Sequence, residues 1–164
     1  MTSQLLKSSR FLLIDTNLIM VYVIGQFNPG VISSFKRTQT FSEEDFRILE
    51  SFAGNFQSLI VTPHILTEVT DLLESFNQKH KNQIFPILRK LLTVADERYN
   101  SSLSVAESDN KRFDKFGLAD SMTIEIASQK ITVLTDDLEL YGYLVNLGLP
   151  TVNFNHLRGG YLLR

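Results

Sequence analysis

Apolar residues fall into short continuous runs and longer periodic stretches that alternate along the chain. Phe11 to Ile14 (FLLI) is apolar throughout, as expected of a strand buried on both faces, and it stops abruptly at Asp15-Thr16-Asn17. Gly25 to Gly30 (GQFNPG) reads as a turn-rich loop. Ser42 followed by Glu43, Glu44 and Asp45 reads as a capped helix start with acids in the first turn, and Phe46, Leu49 and Phe52 form its buried stripe. Ser58 to Val61 (SLIV) predicts a second short strand. Thr62 as cap and Pro63 at the first helical position then open a helix in which Ile65, Val69, Leu72 and Phe76 keep close to a helical period.

A further helix is predicted from about Ile84 to Arg98, with Pro86 near its start and Ile87, Leu88, Leu91 and Leu92 along one side. Asn100 to Gly117 is polar and reads as partly irregular. After it, LADSMTIEIASQ from Leu118 predicts a helix, ITVLT from Ile131 a strand, LELYGYLVNLG from Leu138 a helix stopped by Gly148, and TVNF from Thr151 a last strand. Strands alternating with helices imply parallel pairing, hence an α/β fold in which helices cover both faces of a central sheet. The 164 residues, without repeats or low-complexity segments, suit one domain spanning the chain.

Composition narrows the chemistry. The absence of cysteine excludes disulfides, thiolate metal sites and a thiol nucleophile. A formal net charge of -2 excludes a broadly cationic surface, so any nucleic-acid binding relies on local patches. Asp15 and Asn17 interrupt the apolar run near the N-terminus before it reaches the ~20 residues a membrane span needs. The expectation is therefore a soluble, cytoplasmic protein with no export signal and no membrane partner.

The chemistry-bearing residues are acidic. In a parallel α/β sheet, ligands gather at the carboxyl ends of strands. Asp15 follows FLLI, and Asp136 and Asp137 follow ITVLT, so three carboxylates converge if those two strands are neighbours. Glu68 lies near the start of the helix after SLIVT, and Asp120 lies in the first turn after Gly117; both helices open onto the same edge. Singly, each has an ordinary explanation: Asp15 as a turn cap, Glu68 and Asp120 as helix-dipole acids, one of Asp136 and Asp137 as a helix cap. Together they repel, and a cation is the usual means of neutralising them. An all-oxygen set suits Mg2+ or Mn2+ over Zn2+, and such ions activate water and stabilise in-line phosphoryl displacement.

These residues resemble the PIN domain, a nuclease fold. FLLIDTNLI resembles its first strand with the leading acid, VTPHILTEVTDLL the helix carrying the Glu, and GLADSMTIEIASQKITVLTDDLEL the third acid, its helix and the strand ending in Thr-x-Asp. The match runs from Phe11 to about Phe154 with the motifs in family order. The resemblance implies a three-layer α/β/α fold with about five parallel strands and a Mg2+- or Mn2+-dependent endoribonuclease. It makes Asp15, Glu68, Asp120 and Asp137 the catalytic, metal-binding acids, with Asp136 auxiliary at the variable position of Thr-x-Asp. Thr16, Asn17 and Thr135 are supporting residues that orient the carboxylates.

Many small members of the family are toxins of toxin-antitoxin pairs, which would make an antitoxin protein and a second copy of the chain the partners beside RNA. Lys111, Arg112 and Lys115, shortly before Asp120, are candidate RNA-phosphate contacts, and a solvated polar loop is the other reading of them. Lys79, His80, Lys81, Arg89 and Lys90 read as exposed helix charges. Two rivals stand beside the nuclease. A phosphatase of the haloacid dehalogenase type would use Asp15 as nucleophile, but it wants a second Asp where Asn17 stands and a lysine for which Lys130 is the candidate. A non-catalytic PIN-like RNA-binding module would have lost acids, and all four positions are filled.

Overall fold

The computed structural model describes residues 9–160. Five strands form one all-parallel sheet in the order β3-β2-β1-β4-β5: β1 (Phe11–Ile14), β2 (Ser58–Val61), β3 (Asp96–Glu97), β4 (Thr132–Thr135) and β5 (Thr151–Asn153). Among the described residues eight α-helices flank it: α1 (Thr16–Phe27), α2 (Glu43–Ala53), α3 (Pro63–Glu74), α4 (Gln78–Val94), α5 (Ser102–Ser108), α6 (Asn110–Ala127), α7 (Leu138–Asn146) and α8 (Phe154–Arg158), with a 3-10 helix over Pro29–Ser34. The chain steps outward from β1 to β2 to β3, returns across the sheet to β4, and steps outward again to β5. With right-handed crossovers this reversal places the helices of the two halves on opposite faces, the three-layer arrangement expected from the sequence. The two central strands are sealed on both sides: Leu12, Leu13, Val133 and Leu134 are fully buried.

The caps form where the sequence places them. Ser42 and Asp45 make a reciprocal capping box at the start of α2, Thr62 caps α3, and Gly148 takes a left-handed conformation (φ 69°) just after α7. Gly117 (φ 73°, ψ -173°) breaks α6 into two segments, so that Asp120 does stand in a fresh first turn.

Four expectations need correction. Gly25 does not open a loop: α1 runs on to Phe27, and Gly25 is buried against the Phe46 ring, which a Cβ there would overlap. The helix expected from Ile84 starts at Gln78, capped by Asn77, so Pro86 is interior; it ends at Val94, and Asp96–Glu97 pair with Ile60 and Val61 as the edge strand β3. The stretch from Asn100 to Gly117 is more helical than expected, because Ser101 and Asp109 cap α5 and α6; only Asn100, Ser101, Asp109 and Gly117 depart from helix. Lastly, His80 is half-buried, its ring against those of Phe27 and Phe35. No helix among the described residues is long and apolar enough to cross a membrane. The expectation about an export signal concerns the N-terminus, and residues 1–8 of it lie outside those described.

Candidate functional site

The reversal of strand order falls between β1 and β4, which pair in parallel through Leu12↔Thr132, Leu13↔Val133 and Ile14↔Leu134. A crevice at the carboxyl end of a sheet opens at such a switch point. The residues that follow the two strands are Asp15 on one side and Asp136 and Asp137 on the other. Asp15 extends the ladder, its N–H donating to the Leu134 carbonyl at 3.0 Å, and it is also the residue before α1.

Four of the five carboxylates, those of Asp15, Glu68, Asp136 and Asp137, accept hydrogen bonds from neutral donors. Asp15 Oδ1 accepts from the Thr16 N–H and Oδ2 from the Thr135 hydroxyl, both at 2.7 Å. The Thr16 hydroxyl donates to Glu68 Oε2 at 2.7 Å, which brings α3 to the end of β1. Asn17 Nδ2 donates to both oxygens of Asp136 at 3.3 Å, while Asn17 Oδ1 accepts from Arg37 Nε at 2.8 Å. Asp137 Oδ1 caps α7 by accepting from Glu139 N at 2.7 Å and Leu140 N at 3.0 Å. The three neutral residues expected to support the acids thus each hydrogen-bond at least one of them.

Electrostatics shows how near the acids are to one another. Burial pushes the Asp15 carboxyl up to about 6 against the hydrogen bonds from Thr135 and Thr16, and the charges of Asp136 and Glu68 push it the same way. Asp120 rises to about 7, first by burial and then by the charges of Asp15, Asp137, Glu68 and Glu139. Burial also raises Asp136, with Asp137 adding to the rise while Asn17 and Arg37 oppose it. All five acids therefore interact, with Asp15 and Asp120 at the centre. A divalent cation held by oxygen ligands would relieve this repulsion, so the donor chemistry fits Mg2+ or Mn2+. Among the described residues no group of three or more His, Asp or Glu side chains is arranged to hold an ion as it stands.

The three basic candidates on α6 differ in their surroundings. Arg112 is spent inside the fold, its Nη2 on Glu125 Oε1 at 2.6 Å and on Ser108 Oγ at 2.5 Å. Lys115 pairs with Glu139 at 3.0 Å, one residue past the first position of α7, and Lys111 is exposed. Sequence reasoning misses Arg37, which lies in a polar loop with no periodicity to mark it; only its adjacency to Lys36 offers a signal. No protein-family model matches the chain, and no curated protein matches it.

Proposed function

We propose that this chain is a Mg2+- or Mn2+-dependent endoribonuclease of the PIN-domain type. The observation that carries the reading is the meeting of Asp15, Glu68, Asp120, Asp136 and Asp137 at the switch point between β1 and β4, where Asp15 and Asp120 are pushed up to about 6 and 7. When bound, the divalent ion supplies water activation and charge neutralisation for in-line attack on a phosphodiester. Asp15, Glu68, Asp120 and Asp137 are the residues to hold it. Thr16 and Thr135 fix two of those carboxylates in orientation, which lowers the reorganisation needed when the site is loaded. The α7 cap formed by Asp137 ties the last acid to the end of β4.

One observation counts against the phosphatase. Lys130 lies in the turn before β4, at the amino edge of the sheet, whereas Asp15 lies at the carboxyl edge. Four strand residues separate those edges, roughly 13 Å at ~3.3 Å each, too far for Lys130 to neutralise a phosphoryl group on Asp15. The test is direct: the purified protein, offered single-stranded RNA, cleaves it with Mn2+ or Mg2+, stops with EDTA and leaves small phosphomonoesters intact. A phosphoenzyme trapped at Asp15 would overturn the nuclease reading.

A further inference from the structure

Beside the acids lies a groove of about 460 Å3 whose lining includes Asn17, Lys36, Arg37, Phe41, Phe76 and Asp136. Its volume is that of a ligand cleft, ~300–1,000 Å3. Two of its residues, Asn17 and Asp136, also belong to the acidic site, so the groove is continuous with it. Its other wall is cationic and apolar. Lys36 is exposed and makes no ion pair among the described residues. Arg37 uses only Nε, on Asn17 Oδ1. Its two Nη groups, carrying four N–H donors in a planar fork, make no hydrogen bond with the described residues, and a fork of that kind suits bidentate contact with a phosphate. Phe76, stacked on Phe35 with ring centres 4.0 Å apart, adds a rigid apolar wall.

We infer that this groove binds the nucleotide next to the scissile bond of a single-stranded nucleic acid, with Arg37 and Lys36 on its phosphate and its base against Phe76. The inference rests on the nuclease reading for the scissile bond, but the binding itself does not require cleavage. Three features select the ligand class. The cations stand where an anion must approach a site that is otherwise acidic and would repel it. The apolar wall suits an unstacked base, which a duplex does not offer. The relay from Arg37 through Asn17 to Asp136 fixes the guanidinium at the boundary between the two charge signs. Arg112 is committed to Glu125 and Lys115 to Glu139, whereas Lys36 and the Arg37 Nη groups have no hydrogen-bond or ion-pair partner among the described residues.

The experiment measures binding of a fluorescent single-stranded RNA oligonucleotide in EDTA, over a series of salt concentrations, with melting temperature recorded on the same samples. The wild type is expected to bind. Lys36→Ala with Arg37→Ala is expected to weaken binding at least tenfold and to flatten the dependence of log affinity on log salt by about 0.7 for each phosphate that is no longer neutralised. Lys90→Ala, an exposed charge on α4, is the control and should leave both unchanged. Arg37→Lys keeps the charge but not the fork, and should fall between. If the wild type binds but the double variant binds equally well with the same slope, the groove assignment is overturned and the nuclease reading is untouched. If the protein binds through the groove yet cleaves no RNA with Mn2+ or Mg2+, the nuclease reading falls and the groove stands. A wild type that binds no single strand overturns the groove.

Discussion

The Thr135 hydroxyl donates to Asp15 Oδ2 at 2.7 Å across the β1–β4 pair, and its oxygen accepts the Asp137 N–H at 3.0 Å. One fully buried side chain therefore sets the position of two acids contributed by different strands. The adjacency of β1 and β4 makes this possible, and it is a consequence of topology: the strands are 120 positions apart in sequence at the Thr135–Asp15 bond.

A positioning role for Thr135 has a distinct signature. Thr135→Val keeps the shape, loses the hydroxyl, and leaves Asp15 Oδ2 without its donor and the Asp137 N–H without its acceptor, a loss of ~1 kcal/mol for each hydrogen bond. Cleavage should fall 10- to 100-fold, whereas Thr135→Ser, which restores the hydroxyl, should stay within a few-fold of wild type. Equal losses of activity in the two variants, measured at equal folded fraction, would mean that Thr135 only fills space.

Stability should depend on pH in an uncommon direction. Asp15 and Asp120 have folded-state pKa values of about 6 and about 7 against an ordinary value of 3.8. Between those limits the folded state binds more protons than the unfolded one, so stability falls as pH rises from about 4 to about 7. The metal-free melting temperature is therefore expected to be higher at pH 5 than at pH 8. Millimolar Mg2+ or Mn2+ should raise it at pH 8 by mass action and raise it less at pH 5, where protons compete for the same oxygens. Asp15→Asn should flatten the pH dependence and shrink the metal shift. A melting temperature that climbs from pH 5 to pH 8 in EDTA would contradict the clustering of these acids.

Gly25 gives a prediction about the scaffold alone. An Ala in mid-helix is ordinarily ~1 kcal/mol better than Gly. Here the methyl group would overlap the Phe46 ring, which packs α2 onto α1. Gly25→Ala should lower stability by ~1–3 kcal/mol, the usual range for overpacking, and Gly25→Ala with Phe46→Leu should recover part of it. Denaturant midpoints of the four proteins in this cycle measure the coupling.

The pattern of residues reveals the central strands and their acids for a physical reason. FLLI and ITVL are buried on both faces, so they read as unbroken apolar runs, and the change to Asp at each end is sharp. The caps at Ser42, Thr62 and Gly148 are local chemistry and are equally visible. The edge strand is not. Asp96 and Glu97 pair on one side only, through β2, and need no apolar side chains to do it. Gly25 misleads because its reason is a contact with Phe46, 21 positions away, and not a turn. Arg37 is hidden for the same cause: the Asn17 amide that holds it is 20 positions away.

The adjacent pair Asp136 and Asp137 offers the sharpest test, because the structure gives the two carboxylates different work. Asp137 Oδ1 caps α7, and Asp137 adds its charge to the group that raises Asp120. Asp136 is held by Asn17, whose other end holds Arg37. Asp137→Ala should therefore cost ~1 kcal/mol of stability through the lost cap and, if it is a ligand, several orders of magnitude in rate, each ~1.4 kcal/mol of transition-state stabilisation being tenfold. Asp137→Asn separates the two effects, since Asn caps a helix about as well as Asp but contributes no charge to a cation: its melting temperature should stay near wild type while its rate falls like that of Asp137→Ala. Asp136→Ala should cost much less in rate and should weaken RNA binding, because it releases the Asn17–Arg37 relay. Rates close to wild type for Asp137→Asn would reduce Asp137 to a cap. A larger rate loss at Asp136 than at Asp137 would transfer the ligand role to Asp136.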